Sequence, residues 1–269
     1  MQPIDNGIVK QFQEDGVAVL RQVISPDWIE TLRRGLDRNI AEPGKYRREY
    51  SPEGASGHFF GDYCNWSRIA EYEDFARNSP AADLAAALMG SKKVNLFHEH
   101  VVVKEPGTAE RTPWHHDQPY YCVDGNDTVS LWIPLDPVAQ ENGVEFIRGS
   151  HRWGKWYTPT KFTGVDYERG DDGSETIPDI EADRDSYDIV SFGLEPGDCV
   201  AFNFKTVHGA AGNSSAGTRR RAISFRWTGD DARFAIRPGE MSPPFPEFDL
   251  CTHKPGDVLD SELFPVVRA

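Results

Sequence analysis

The sequence has few cysteines, no long apolar run and no recognisable targeting segment. Its 269 residues include four cysteines, no two of which form a C-x-x-C pair. This wide spacing argues against a zinc site and against a disulfide framework, so we expect buried, reduced thiols. Residues 1–16 carry acidic side chains and no basic start followed by an apolar stretch, which is unlike a secretory signal. The sequence therefore predicts a cytoplasmic protein without a membrane span.

Basic residues are also in the minority. The chain has 29 lysines and arginines against 43 aspartates and glutamates, which gives a formal charge of −14. The average field of such a protein repels phosphate groups. We therefore expect no binding to nucleic acid or to an anionic membrane. An anionic ligand would have to meet a local group of basic side chains.

The composition is typical of one large globular domain with many turns. Hydrophobic residues make up 38% of the chain and charged residues 27%, with 24 glycines and 19 prolines. Such a length is compatible with a single undivided domain. Residues 1–92 are predicted to form a largely helical support, with helices at 4–14 and 80–90 and a third that begins at Pro26.

Residues 93–228 contain the extended runs that predict strands. These runs lie at 93–104, 128–135, 143–147, 198–204 and 220–228. Helices followed by separate strands, without regular β-α-β alternation, favour an antiparallel sandwich or barrel. We therefore predict a mainly β domain with flanking helices, and a tail at 229–269 that wraps the core.

A polar segment at 151–189 interrupts the predicted strands. It is rich in Asp, Gly, Thr and Tyr and is too long for a simple connection. We predict that it forms a lid over a functional site, since enzymes often close such segments to exclude water.

The segment TPWHHDQPYY contains a candidate metal site. His115 and Asp117 are two residues apart, and on an extended strand this spacing places both side chains on one face. A second imidazole would complete a group of two histidines and one carboxylate, which leaves coordination positions open on a non-haem iron. His208 is the candidate, because it follows an apolar strand and precedes a glycine-rich turn. By itself a His-x-Asp pair is unspecific and also fits a hydrogen-bonded surface strand.

Three consecutive arginines stand shortly after His208. On a strand their side chains alternate between faces, so either Arg220 or the pair Arg219 and Arg221 points into a barrel. A guanidinium matches a carboxylate through two hydrogen bonds, as the far carboxylate of 2-oxoglutarate would require. A solvated basic patch is the alternative interpretation of the run.

These motifs together resemble the phytanoyl-CoA dioxygenase family, which also includes ectoine hydroxylase and many bacterial small-molecule hydroxylases. The resemblance spans nearly the whole chain, in the segments FQEDGVAVLRQVISPDWIETLR, VVVKEPG, TPWHHDQPYY, SLWIPLD, ENGVEFIRGSHRWG, PGDCVAFNFKTVHGAAGNSS and RRRAISFRW. It implies a double-stranded β-helix, a cupin-like jelly-roll core. It also implies that His115, Asp117 and His208 hold Fe(II) and that 2-oxoglutarate and O2 are co-substrates.

The resemblance assigns further residues to the co-substrate. The arginine eleven positions after the distal histidine of the family corresponds to Arg219, with Arg221 as the alternative because this chain has one arginine more than usual. The family contact on the strand before the metal motif corresponds to His98, where relatives commonly have Gln. Trp132 matches a position that flanks the co-substrate in relatives, although a strand tryptophan also fits a core position.

The implied activity is hydroxylation of an unactivated C–H bond of a small molecule, with release of succinate and CO2. The residues predicted to line the substrate pocket are Tyr120, Tyr121, Arg226 and Trp227. Two rival interpretations are a cupin-like metalloenzyme that does not use 2-oxoglutarate and an inactive binding protein of the same fold. The sequence leaves the substrate open and predicts a monomer or a small homo-oligomer.

Overall fold

The chain folds around two facing β-sheets, with helices on the outer side of the larger sheet. The structure is a computed structural model, and it describes residues 4–161, 165–168, 172–215, 217–245 and 252–269. The helices are α1 (Asn6–Asp15), α2 (Pro26–Ala41), α3 (Ala70–Asn78) and α4 (Ala81–Met89). Among the helices of these ranges, none is both long and apolar enough to cross a membrane.

Fourteen strands are present in the described ranges. They are β1 (Val17–Leu20), β2 (Arg48–Glu49), β3 (Phe59–Tyr63), β4 (Val94–Lys104), β5 (Thr112–His115), β6 (Val123–Asp124), β7 (Thr128–Pro134), β8 (Val144–Ile147), β9 (Ile189–Ser191), β10 (Cys199–Phe202), β11 (His208–Ala210), β12 (Arg220–Thr228), β13 (Arg233–Phe234) and β14 (Val266–Arg268).

Local sequence signals set the ends of the helices. The Asp5 side chain accepts a hydrogen bond from the amide of Gly7 at the start of α1, and Ser25 caps α2 in the same way through the amide of Trp28. Such side chains satisfy amides that have no partner within the helix. Gly16 and Gly90 end α1 and α4 with φ angles of 75° and 72°, which glycine adopts without a steric penalty. The three predicted helices are confirmed; α3 was not predicted.

The larger sheet, called here the major sheet, has the strand order β1-β10-β7-β12-β4-β3-β2, with β14 also paired to β4. The minor sheet has the order β5-β11-β8-β9. All described pairings within these two sheets are antiparallel. Two facing antiparallel sheets form the jelly-roll core that the sequence predicts, with β1, β2 and β3 added from the region predicted to be largely helical.

The alternation of side chains along the major sheet separates two environments. The outward faces of β4, β7, β10 and β12 pack against the helices in the main apolar core, which contains Ile223, Phe225 and Trp227. Inward-facing side chains such as Trp132 and Phe202 meet the minor sheet in a second core. A bulge in β4, where Arg226 pairs with His98 but Trp227 pairs with Leu96, leaves Phe97 as the extra residue. The functional site lies between the sheets at one end of this second core.

Candidate metal centre and its two cavities

The three predicted ligands lie together at the end of the minor sheet. One nitrogen or oxygen from each of His115, Asp117 and His208 lies within 4.8 Å of the others, and all three residues are buried. His115 ends β5 and His208 begins β11, and the two are direct partners across these strands. Asp117 does not continue the strand, contrary to our expectation. It precedes a 3₁₀ turn at Gln118–Tyr120, which bends the chain so that its carboxylate meets the imidazoles.

Backbone carbonyls orient both imidazoles. His115 Nδ1 lies 2.7 Å from the carbonyl oxygen of Pro113, and His208 Nδ1 lies 2.9 Å from that of Thr206. A carbonyl only accepts, so each Nδ1 carries the proton and each Nε2 keeps its lone pair. His115 Nε2 is 3.7 Å from Asp117 Oδ1. Two neutral imidazoles and one carboxylate are therefore presented towards one point, as a divalent transition metal requires.

Burial and neighbouring charges fix the protonation states of the group. Burial lowers the pKa of His115 and lowers the pKa of His208 to about 3, so both rings are neutral at physiological pH. Burial raises the pKa of Asp117, but Arg226 and the two histidines outweigh this effect and bring it to about 2. Arg226 Nε lies 3.3 Å from Asp117 Oδ2. The two imidazoles are therefore neutral and the Asp117 carboxylate is ionised before any metal binds, which are the protonation states that metal binding needs.

An inner cavity of about 60 Å³ lies between the sheets beside the candidate ligands. His115 and His208 line it, together with Arg220 and Trp132. Arg220 is 4% exposed and donates hydrogen bonds to the backbone carbonyls of Asn142 and Ala211. Burial lowers its pKa to about 10, so the side chain remains a cation. Two candidate metal ligands, His115 and His208, and the buried guanidinium of Arg220 therefore line the same cavity.

The prediction that Arg219 lies in the site is wrong. Arg219 precedes β12, is 41% exposed and pairs with Glu105 at 2.7 Å. Arg221 faces outward as well and pairs with Asp136 at 2.8 Å. Arg220 is the arginine of the run that faces inward, because it has the same parity on β12 as the inward-facing Ser224 and Arg226.

An outer cavity of about 330 Å³ opens on the other side of the candidate ligands. His115, Asp117 and Arg226 contribute to its lining, so it reaches the same centre as the inner cavity. The predicted substrate residues Tyr120 and Tyr121 line it too. The prediction for Trp227 is wrong: its side chain is fully buried in the core between the major sheet and the helices.

Histidines on β4 lie close to both cavities. His98 lines the outer cavity and is absent from the lining of the inner one, so its predicted contact with the co-substrate is not supported by its position. His100 lines both cavities and was missed by the sequence analysis. The signal was present in HEHVVVK, where His98 and His100 share the face opposite Val101 and Val103. Trp132 lies in the inner cavity, as its prediction requires.

The segment at 151–189 contributes part of the outer cavity wall. Thr160, Lys161 and Tyr167 line the cavity. The hydroxyl of Tyr120 donates to the Thr160 carbonyl at 2.6 Å and accepts from the Thr160 amide at 2.8 Å. The Tyr157 amide donates to Nε2 of His116 at 3.0 Å. The segment is thus tied to residues that adjoin the candidate ligands; residues 162–164 and 169–171 lie outside the described ranges.

Comparisons with known proteins show which family and fold the chain resembles. The family model described as phytanoyl-CoA dioxygenase (PhyH) matches residues 12–222. The peroxisomal phytanoyl-CoA dioxygenase of Rattus norvegicus is 24% identical over 261 residues, which cover 86% of this chain and 72% of the rat protein.

Two solved structures share the fold over nearly the whole chain. The non-haem alpha-ketoglutarate-dependent carbocyclase SnoK from nogalamycin biosynthesis has a TM-score of 0.76 at 21% identity, with 98% of this chain and 97% of SnoK covered. The epimerase SnoN, solved in complex with Fe3+, alpha ketoglutarate and nogalamycin RO, has a TM-score of 0.76 at 20% identity, with 98% of each chain covered.

Proposed function

This chain belongs to the phytanoyl-CoA dioxygenase family of 2-oxoglutarate-dependent non-haem iron oxygenases, and we propose that it hydroxylates an unactivated C–H bond of a small molecule. One observation carries the proposal. The His115–Asp117–His208 group opens on one side to a small cavity that contains Arg220 and on the other to a cavity large enough for a substrate.

In this proposal His115, Asp117 and His208 hold Fe(II). The arrangement fits the metal because it offers two imidazole nitrogens and one carboxylate oxygen, the donor set of non-haem Fe(II) oxygenases. The carbonyls of Pro113 and Thr206 hold the imidazoles in the required tautomer. When bound, iron and 2-oxoglutarate supply the oxidation of the C–H bond by O2, with release of succinate and CO2.

Arg220 replaces Arg219 as the proposed anchor of 2-oxoglutarate. Its guanidinium is buried in the inner cavity, where a carboxylate would be shielded from water and its charge-assisted hydrogen bonds strengthened. Thr112 and Ser224 line the same cavity and are its hydroxyl-bearing residues. Trp132 supplies an apolar wall, which supports its assignment beside the co-substrate.

The outer cavity is the proposed substrate site. Tyr120 and Tyr121 form part of its wall, together with Arg226, which is paired with Asp117. The 151–189 segment is the proposed lid, since Thr160 and Lys161 already form part of the same wall. Excluding water at this point protects a reactive centre from side reactions.

An anaerobic titration tests the cofactor assignment. Fe(II) and then 2-oxoglutarate are added to metal-free protein, and the visible metal-to-ligand charge-transfer band is recorded. We expect a band in the wild type and none in Asp117→Ala. We expect Arg220→Met to weaken 2-oxoglutarate binding by about 10- to 150-fold, because it removes charge-assisted hydrogen bonds worth about 1.5–3 kcal/mol.

Arg219→Met is the matched control, because it removes a neighbouring guanidinium outside the cavity, and it should bind 2-oxoglutarate as the wild type does. Arg220→Lys retains the charge and should recover part of the affinity. Equal losses in Arg219→Met and Arg220→Met would disprove the anchor. No band in iron-loaded wild type would contradict the ligand assignment. Once a substrate is found, incorporation of one ¹⁸O atom from O2 into the product tests hydroxylation itself.

A further inference from the structure

The outer cavity has features that narrow the class of substrate. This inference rests on the proposed function, because it takes the cavity above His115 and Asp117 as the substrate site. The cavity has a volume of about 330 Å³, within the range of sites for small organic ligands. Its lining contains hydrogen-bonding groups, charges and aromatic rings, and each restricts the ligand in a different way.

Arg226 and His98 each bring to this lining a buried polar atom that has no hydrogen-bond partner in the described part of the chain. These atoms are Nη1 of Arg226 and Nδ1 of His98, on side chains of residues only 6% and 2% exposed. The two residues are direct partners across β12 and β4, so they lie next to each other on the inward face. A buried polar group without a partner is costly. A ligand oxygen at this point would satisfy the Arg226 donor and, as a hydroxyl or carbonyl, also suits a neutral imidazole.

The charges of the lining are balanced. Among the described residues it contains three basic side chains and three acidic ones: Arg48, Lys161, Arg226, Glu49, Asp117 and Glu240. Arg226 is paired with Asp117, and Lys161 Nζ lies 3.4 Å from Glu240. A coenzyme A thioester carries several phosphate charges and would need an excess of cations at the opening. The described lining provides no such excess, so an uncharged ligand fits it better.

Five tyrosines give the cavity flat aromatic walls. They are Tyr50, Tyr63, Tyr120, Tyr121 and Tyr167. Tyr120 and Tyr167 pack edge to face with their ring centroids 5.6 Å apart, and Tyr63 meets His100 in the same way at 5.3 Å. Aromatic side chains bury large areas against other flat surfaces and still offer a hydroxyl at the rim. Such walls favour a ring compound over a flexible acyl chain.

We propose that the outer cavity binds an uncharged ring compound that carries a hydroxyl or carbonyl oxygen near the carbon to be oxidised, with Arg226 and His98 recognising that oxygen. Arg226 connects recognition to the metal centre, because its Nε is 3.3 Å from the Asp117 carboxylate while its Nη1 has no hydrogen-bond partner in the described chain. His98 packs against Tyr121 and Phe245, at ring-centroid distances of 5.1 and 5.7 Å, which restrains its ring.

Binding of matched probes tests this proposal without any turnover. Isothermal titration calorimetry is carried out anaerobically, on metal-free protein and on protein loaded with Fe(II) and 2-oxoglutarate. The probes are 1-tetralone, tetralin as the same ring system without the oxygen, 1-naphthoate as an anionic ring and benzoyl-CoA as a thioester. We expect 1-tetralone to bind at least about tenfold more tightly than tetralin, as one charge-assisted hydrogen bond implies, and more tightly than both anions.

His98→Phe removes Nδ1 but keeps an aromatic ring for the packing, and we expect it to reduce the advantage of 1-tetralone over tetralin by at least about fivefold. His253→Phe is the matched control: its Nδ1 also has no partner in the described chain, but its ring stacks on Phe234 outside both cavities. This variant should keep the full advantage.

Equal binding of tetralin and 1-tetralone, tighter binding of either anion, or no binding of 1-tetralone at all would overturn the proposal. So would an unchanged preference in His98→Phe. The charge-transfer titration distinguishes a failure of the substrate assignment from a failure of the cofactor assignment. A normal band without 1-tetralone binding disproves only the substrate class, whereas 1-tetralone binding without a band disproves only the cofactor assignment.

Discussion

The Nε atom of Arg226 lies 3.3 Å from Oδ2 of Asp117, so the carboxylate of the candidate metal group is held by a buried guanidinium. Burial alone would raise the pKa of Asp117, but this cation and the neighbouring histidines bring it to about 2. The carboxylate is therefore charged before any metal binds. Arg226 also lines both cavities, so it connects the carboxylate of the candidate ligand group with both of them.

Removal of the Arg226 charge should destabilise the metal-free protein. Arg226→Met leaves Asp117 buried without its cation, and breaking one side of a buried pair costs about 3 kcal/mol or more. Urea unfolding at neutral pH measures this loss. In the double variant with Asp117→Asn, at least about 1 kcal/mol should be recovered, because the uncompensated charge is gone.

Lys10→Met is the control for a surface pair. Lys10 and Glu14 are 72% and 58% exposed and lie 3.7 Å apart, so losing this pair should change stability by less than about 1 kcal/mol. Additive effects of the Arg226 and Asp117 substitutions would show that the two side chains are not coupled.

Filling the inner cavity should separate metal binding from co-substrate binding. Ala210 is 4% exposed and lines this cavity of about 60 Å³. The larger side chain in Ala210→Leu occupies the space proposed for 2-oxoglutarate while His115, Asp117 and His208 remain. We expect Fe(II) to bind and the charge-transfer band with 2-oxoglutarate to be lost. Ala211→Leu, at the next position and outside the cavity lining, should retain the band; its loss there as well would point to general damage to β11.

The tie between Tyr120 and the 151–189 segment should control local opening of the outer cavity. Tyr120→Phe removes both hydrogen bonds to Thr160, at 2.6 and 2.8 Å, each worth about 1 kcal/mol. Hydrogen exchange of the Thr160 amide should become at least about fivefold faster, since this amide loses its acceptor. Tyr187→Phe, in the same segment but outside the outer cavity lining, should leave that rate unchanged. An unchanged exchange rate of the Thr160 amide in Tyr120→Phe would show that these two hydrogen bonds do not restrain local opening of the segment.

Buried and half-buried histidines should make the metal-free protein less stable as the pH falls below 6.5. Burial lowers the pKa of six histidines: His98, His100, His115, His116, His151 and His208. Below their unfolded pKa of about 6.5, the unfolded chain binds protons that the native protein does not, so stability decreases as the pH falls. Glu99 acts in the opposite direction, because burial raises its pKa to about 8 and the native state then binds the additional proton.

His100→Gln isolates one contribution to this pH dependence. Because burial lowers the pKa of His100 to about 3, the substitution should reduce the slope of the unfolding free energy between pH 6.5 and 5 by about 1 kcal/mol per pH unit on average. Urea denaturation at several pH values measures the slope. The same slope in wild type and His100→Gln would contradict the assignment of His100 as a neutral group in the native protein.

The sequence alone determined the class of this protein and the members of its candidate metal group. Strand and helix periodicity predicted the mainly β core and three of the four helices, since these signals are local. The His-x-Asp motif and His208 predicted the ligand set because their residue types suit Fe(II), whatever the exact backbone path. The resemblance of ordered segments to one family added 2-oxoglutarate, and the family comparison confirmed that membership.

Strand register and a bulge decided what the sequence left open. Arg219, Arg220 and Arg221 carry the same side chain, and the pairing of Arg220 with Lys104 on β4 sets which one faces inward. Trp227 faces the helices because it follows the inward-facing Arg226 by one residue. His100 reaches both cavities because β4 brings its inward face beside the ligands. A shift of one residue along a strand reverses the face of a side chain, so only the tertiary pairing could determine these positions.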